Sequence, residues 1–240
     1  MNQLAKNIKL SNGFKTVYTS RHMYSKLLYC DKKNKICIGF TPRGGCSISF
    51  QLYLDLLGLL SEALTYNSFI HNYRTQLFNK YTKTLNIKKL IGYTFIKFIM
   101  NPYIRAVSIY RAQTSCNLSF RNYLKQINLI NFNQNDRYHV CSQYITGEDK
   151  IPFKYIKIDE NQCITIKLAN GEDFIVDVNK YNSVHHGKRI NSEVFCGDIL
   201  RETVNNQLPT SYKFFYDDEI KNLVYKIYKQ DIEFYNFSFF

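Results

Sequence analysis

Short apolar runs alternate with longer segments of helical periodicity from residue 36 onward. The run "ICIGF" (36–40) is continuous and bounded by turn residues, which predicts a buried strand. Across 48–64, Leu52, Leu56, Leu59, Leu60 and Ala63 fall on one stripe and predict a helix. "NSFIH" (67–71) reads as a second short strand ending at His71, and 73–85 as a mixed helical segment. "YTFIKFI" (93–99) is β-branched and aromatic, hence a strand. Pro102 stands where a helix can begin, and "YIRAVSIYRA" suits that helix. "SFRNYLKQINLI" (119–130) predicts a helix with Ser119 as its N-cap. "KYIKI" (154–158) is a strand, and "CITIK" and "FIVDV" around "LANGED" form a hairpin. A last helix is expected from about Asp217 to Phe234, with Asp217 or Asp218 capping it. The first 35 residues are polar and basic, end in "DKKNK", and are expected to be irregular.

Strands alternating with helices predict an α/β fold with a mainly parallel central sheet flanked by helices. Ligands of such sheets sit beyond the carboxyl ends of the strands. That rule sets the turn after Phe40, His71 and the segment after Ile99 on one rim. A length of 240 residues suits a single domain, 1–240, with one substantial core. Apolar residues at 45% and charged residues at 21% give a globular rather than a disordered balance. The net charge of +13 attracts polyanions. The lysines form no block, however, so nucleic acid is not the expected partner. Seven cysteines occur without close paired spacing. They predict neither a zinc site nor a disulfide framework, and are expected to be reduced thiols in a cytosol. The N-terminus has no apolar core of signal-peptide length and no run approaches a membrane span, so a soluble, cytoplasmic protein without a transmembrane segment is expected. Oligomeric state is left open.

Two stretches carry candidate chemistry. In "FTPRGGCSIS" a strand gives way to Pro42, Arg43, Gly44, Gly45, Cys46 and Ser47, and then to a helix. Adjacent glycines let the backbone turn tightly and present N–H groups. The helix start adds unpaired N–H groups and the positive end of its dipole. With the Arg43 charge and the Ser47 hydroxyl, the stretch makes an anion site of phosphate size. It is not the familiar nucleotide loop, because no Lys-Ser/Thr step follows the last glycine. The second stretch, "KFIMNPYIRAVSIYR" (97–111), runs from a strand through Asn-Pro into a helix carrying Arg105 and Ser108 on neighbouring positions of one face.

"TPRGGCSISF" resembles the 5′-phosphosulfate loop of PAPS-dependent sulfotransferases, PAPS being 3′-phosphoadenosine 5′-phosphosulfate. "IMNPYIRAVSIY" resembles the same family's 3′-phosphate motif. "NDRYHVCSQY" resembles the Asp-x-x-His…Gln stretch of the carbohydrate (Golgi-type) branch. The C-terminal segment resembles that branch's last helix, its Tyr-x-x-Asp falling on Tyr228 and Asp231. The resemblance spans roughly residues 35 to 237 and implies a P-loop-NTPase-like sulfotransferase fold with PAPS as donor, no metal, and a glycan or other hydroxyl acceptor. It also suggests a microbial or viral type. By position, Arg43 would bind the 5′-phosphosulfate. Gly44, Gly45, Cys46 and Ser47 would donate backbone N–H groups, with the Ser47 hydroxyl in the family's Thr position. Ser108 would hold the 3′-phosphate. Lys188 and Arg189 resemble a late basic loop that closes over the nucleotide.

Two departures stand out. The family's Arg in the 3′-phosphate motif falls on Met100, which cannot bind phosphate, leaving Arg105 or the basic group in "HHGKR" to compensate. Arg43 replaces the family's Lys; it stays charged but is a poorer proton donor. A hydroxyl acceptor needs a general base. His71 is the first candidate, at the end of its expected strand, and His139, in "NDRYHVCSQY", the second. The rival expectation is a catalytically silent relative that binds a nucleotide or polyanion.

Overall fold

The computed structural model describes residues 28–74, 92–113, 117–129, 139–145, 148–160, 162–181, 193–206, 209 and 211–239. The expected helical segment beyond residue 74 lies outside them. The elements are β1 (Leu28–Asp31), β2 (Ile36–Gly39), α1 (Cys46–Leu56), α2 (Leu60–Tyr66), α3 (Ile70–Tyr73), β3 (Thr94–Ile99), α4 (Pro102–Ala112), α5 (Phe120–Leu129), β4 (Phe153–Lys157), β5 (Cys163–Lys167), β6 (Asp173–Asp177), α6 (Arg201–Asn206) and α7 (Asp218–Phe234). The fold is mixed α/β. A four-stranded sheet has the order β1-β2-β3-β4, with β2–β3 and β3–β4 parallel and β1–β2 antiparallel. Strands β5 and β6 pair antiparallel as the expected hairpin. Among the described residues no helix is long and apolar enough to cross a membrane.

Two compact units are distinguished, each with its own core. The first comprises Met1–Ile99 and Gln143–Ser183; the second comprises Met100–Ser142 and Val184–Phe240. The first holds the sheet. Ile36, Ile38, Phe95, Phe98 and Ile156 line its interior, with Phe50, Leu52 and Leu54 of α1 in the same core. The second unit is helical. The α5 stripe of Phe120, Tyr123, Leu124 and Ile127 shares a core with Val107 and Tyr110 of α4 and Ile220, Val224 and Tyr228 of α7.

The predicted caps are in place. Pro102 opens α4 behind Asn101, whose side chain accepts from Tyr103 N at 3.0 Å. The Ser119 hydroxyl accepts from Asn122 N at 3.3 Å, and the Asp217 carboxylate from Ile220 N at 2.8 Å.

Four expectations are corrected. The helix expected across 48–64 is broken into α1 and α2. Gly58 takes φ +72°, its N–H reaches Asp55 O at 2.9 Å, and Leu59 N–H reaches Leu54 O at 2.8 Å. This is the paired hydrogen-bond pattern by which a left-handed glycine stops a helix. The strand expected at 67–71 is instead a turn leading into α3, because Asn67 Oδ1 accepts from Phe69 N at 2.8 Å and closes the chain locally. "DKKNK" is not irregular. It is the tip of the β1–β2 hairpin, where the Asp31 carboxylate accepts from Lys33 N at 2.9 Å and from Asn34 Nδ2 at 2.6 Å. Finally, the cysteines are not all reduced. Cys30 and Cys37 face each other across β1 and β2 and form a disulfide. Antiparallel pairing brought together two cysteines whose sequence spacing looked unpaired.

Candidate functional site

The loop between β2 and α1 lies in the sheet-bearing unit. Thr41 O accepts from Gly44 N at 2.9 Å, closing a turn with Pro42 and Arg43 at its centre. Arg43 takes φ +59°, so proline first and a left-handed residue second follow the type II pattern. A side chain in the left-handed region costs roughly 1–2 kcal/mol, and such strain tends to collect at functional positions. Gly45 caps α1 at φ +101°, and a methyl group there would stand 2.8 Å from Phe98 Cβ. A methyl on Gly44 would stand 2.6 Å from Gln143 Oε1 and 3.2 Å from Thr41 Oγ1. Gly45 is therefore required by space and by conformation, whereas a side chain at Gly44 would have to displace the Gln143 amide. Gly45 offers no side-chain cap, so the first N–H groups of α1 point out of the helix start. The Thr41 hydroxyl is buried against this turn and has no hydrogen-bond partner among the described residues.

His71 reaches the same place from α3. Its Nε2 lies 2.8 Å from Ser47 Oγ and 3.8 Å from Cys46 Sγ. The Phe69 ring meets the imidazole edge-on, with centroids 5.2 Å apart at 73°. The structure thus joins Pro42, Arg43, Gly44, Gly45, Cys46, Ser47 and His71 in one neighbourhood, although His71 arrives on a helix and not on a strand.

Behind the loop is a buried polar group that sequence reasoning missed. Lys97, in the middle of β3, is 1% exposed. Its Nζ donates to Gln143 O at 2.6 Å and pairs with Glu148 at 2.5 Å. Glu148 also accepts from Ile145 N at 2.9 Å. The Tyr155 hydroxyl is held well above its usual range by burial first and by Glu148 second. The one available signal was a lysine inside an otherwise apolar strand pattern.

Arg105, Ser108 and His139 lie in the other unit. Arg105 is fully buried, and its Nη2 donates to His139 O at 3.0 Å. Its Nη1 lies 3.8 Å from Asp231, and its guanidinium lies 5.6 Å from the Tyr228 ring centroid. The Ser142 hydroxyl donates to the same Asp231. Three stretches singled out in the sequence, around Arg105, His139 and the Tyr228–Asp231 pair, therefore meet inside this unit. Ser108 is half-buried on α4, as is His139 at the start of its segment. Lys188 and Arg189 lie outside the described residues. Among the described residues there is no cluster of three or more metal-ligating side chains.

Comparison with known proteins finds no family model, no curated protein and no solved structure that matches this chain.

The loop sets a glycine turn and a helix start beside an imidazole. The N–H groups at the start of α1 and the Ser47 hydroxyl lie in one loop with Arg43, and His71 is within hydrogen-bond reach of that hydroxyl. Such a site suits transfer of a charged group to a hydroxyl, where positioning and electrostatics supply most of the rate.

Proposed function

We propose that this protein is a PAPS-dependent sulfotransferase of P-loop-NTPase-like fold, acting on a hydroxyl acceptor, most simply a carbohydrate. The observation that carries this reading is the 2.8 Å approach of His71 Nε2 to Ser47 Oγ at the glycine loop. It sets a base beside the place where the loop would hold a transferable anion. In the proposed reaction His71 takes the proton of the acceptor hydroxyl, and the acceptor oxygen forms a bond to sulfur. The bond from sulfur to the bridging oxygen breaks, and 3′,5′-adenosine bisphosphate leaves. Arg43 and the N–H groups of Gly44, Gly45, Cys46 and Ser47 stabilise the charge on that oxygen, and the Ser47 hydroxyl turns to the 5′ group. The family resemblance assigns the donor's 3′-phosphate to Ser108. Arg105 enters as a positioning residue, because its charge is directed at Asp231. His139 is the second candidate for the base.

A second reading is a catalytically silent relative that binds a nucleotide or polyanion. It is favoured by Met100 at the family's Arg position and by the engagement of Arg105 with Asp231. Two measurements separate the readings. Calorimetry with 3′,5′-adenosine bisphosphate should detect binding, and absence of binding near millimolar ligand would sink both nucleotide readings. Incubation with radiolabelled PAPS and a glycan panel should label at least one glycan; binding without labelling selects the silent relative.

A further inference from the structure

The ion pair behind the loop is costly where it stands. The side chains of Lys97 and Glu148 are 2% and 0% exposed. Replacing such a pair with apolar side chains of similar volume is often neutral or stabilising, because desolvation offsets the attraction between buried charges. What distinguishes the pair is therefore what it holds. Lys97 Nζ donates to Gln143 O at 2.6 Å, and its ion partner Glu148 accepts from Ile145 N at 2.9 Å. The pair thus fixes Gln143, Ile145 and Glu148 together. These residues open the segment on which the chain re-enters the sheet unit, having left it after Ile99 and returned at Gln143. Across so long an excursion, chain continuity sets the place of that segment only loosely.

Gln143 carries the fixation to the glycine turn. It is fully buried, and its Oε1 stands 2.6 Å from where a methyl on Gly44 would be, with Thr41 Oγ1 3.2 Å from the same point. The amide therefore lies against Gly44, whose N–H closes the turn on Thr41 O. The strand side is equally direct, since Lys97 is in register with Gly39, the last residue of β2, two positions before Thr41. Within the turn, Arg43 takes φ +59°, a conformation that a side chain keeps only where its surroundings impose it.

We propose that Lys97 is a positioning residue for the glycine turn: bonded to Gln143 and Glu148, it sets the Gln143 amide against Gly44 and so holds closed the turn that carries Arg43. This accounts for a lysine inside an apolar strand by the shape it imposes on the loop and not by the stability it adds. The proposal rests on the sulfotransferase reading only for the ligand that reports on the turn.

The test is amide hydrogen exchange by NMR on the full chain, comparing wild type with the double variant Lys97→Met/Glu148→Leu and with Gln143→Ala. The double change fills the site with apolar groups, so the core is kept. Exchange at the Gly44 amide should quicken by at least about tenfold in both variants, because opening of the turn sets that rate, while β2 and β3 keep their wild-type protection. The proposal is overturned if Gly44 exchanges as in wild type in either variant. It is equally overturned if β2 and β3 lose protection along with Gly44 in the double variant, since the pair would then hold the sheet and not the turn. Calorimetry with 3′,5′-adenosine bisphosphate adds a second readout. Where wild type binds, both variants should bind about tenfold more weakly or worse, since a turn closed a tenth of the time binds a tenth as well; equal affinities overturn the proposal. Where wild type does not bind, the sulfotransferase reading falls, and exchange at Gly44 alone decides this one.

Discussion

At the scale of single residues, the loop separates demands of conformation from demands of charge. Gly45 has no tolerated substitute, since alanine there meets both a left-handed backbone and Phe98. Gly45→Ala should destabilise by more than about 1 kcal/mol in urea unfolding. Arg43 is the opposite case. Its φ of +59° is one glycine adopts freely, so Arg43→Gly should leave stability unchanged or raise it by up to about 1 kcal/mol. The same change should abolish transfer and weaken bisphosphate binding at least tenfold in calorimetry. Stability kept and binding lost is the signature of a side chain retained for its charge; both kept would remove Arg43 from the site. His71→Ala should cut turnover by ~10²–10⁴-fold with bisphosphate affinity nearly intact, as general-base loss predicts. Full activity in that variant would transfer the role to His139.

At the scale of elements, two ionic groups hold segments in register, and their environments predict opposite responses. Lys97 joins β3 to the 143–148 segment by a pair that is almost wholly buried. Lys97→Met would strand the Glu148 carboxylate without its cation and should cost roughly 3–5 kcal/mol, read by urea unfolding. Adding Glu148→Leu should recover much of that loss, because two apolar groups replace a pair whose burial is itself costly. Arg121 of α5 is half-buried itself, but its acidic partners face water. It pairs with Asp198 at 2.7 Å and with Asp217 at 2.5 Å, tying the 193–200 segment to the start of α7. Its hydrogen bonds hold the carboxyls of both aspartates below their usual values, outweighing the opposing effect of burial. Groups depressed in the folded state contribute stability above the unfolded carboxylate range, near pH 4, and lose it as the pH falls through their folded values. Unfolding followed from pH 7 to pH 3 should therefore lose less stability in Arg121→Ala than in wild type. The difference should stay under about 1 kcal/mol per pair, since the carboxylates face water. A steeper acid loss in the variant would refute this assignment.

At the scale of the whole molecule, chain order and unit order do not coincide. The sheet unit is built from 1–99 and 143–183, the helical unit from 100–142 and 184–240. Neither can be cut out as one continuous piece. A fragment ending at residue 183 keeps all four strands of the main sheet but removes Val204, Phe215, Ile220, Val224 and Tyr228 from the helical core. Hydrogen exchange on it should show protected amides in β2 and β3 and unprotected ones in α4 and α5. Protection in α4 and α5 equal to that of the full chain would show that the helical core does not need its C-terminal half. The disulfide also belongs to this scale, since Cys30 and Cys37 meet only once β1 and β2 pair. Intact mass under non-reducing conditions should be lighter by two hydrogens than after dithiothreitol.

The sequence alone set what depends on neighbours along the chain. Apolar runs of strand length, helical stripes and local caps marked β2, β3, β4, the β5–β6 hairpin, α4, α5 and α7, because each rests on side chains within a few positions of one another. The glycine loop was legible for the same reason, as a strand-to-helix turn written in consecutive residues. Tertiary structure decided what depends on residues far apart. It bonded two cysteines that only strand pairing brings together, whereas the helix stop at Gly58 is local, its carbonyl partners lying at Asp55 and Leu54. It turned a lysine in an apolar strand into the ion partner of a glutamate 51 positions away, and it directed Arg105 to a buried aspartate near the chain's end. It also placed His71 at Ser47. The sequence named both residues, but a hydrogen bond across 24 positions exists only where a fold closes the distance between them.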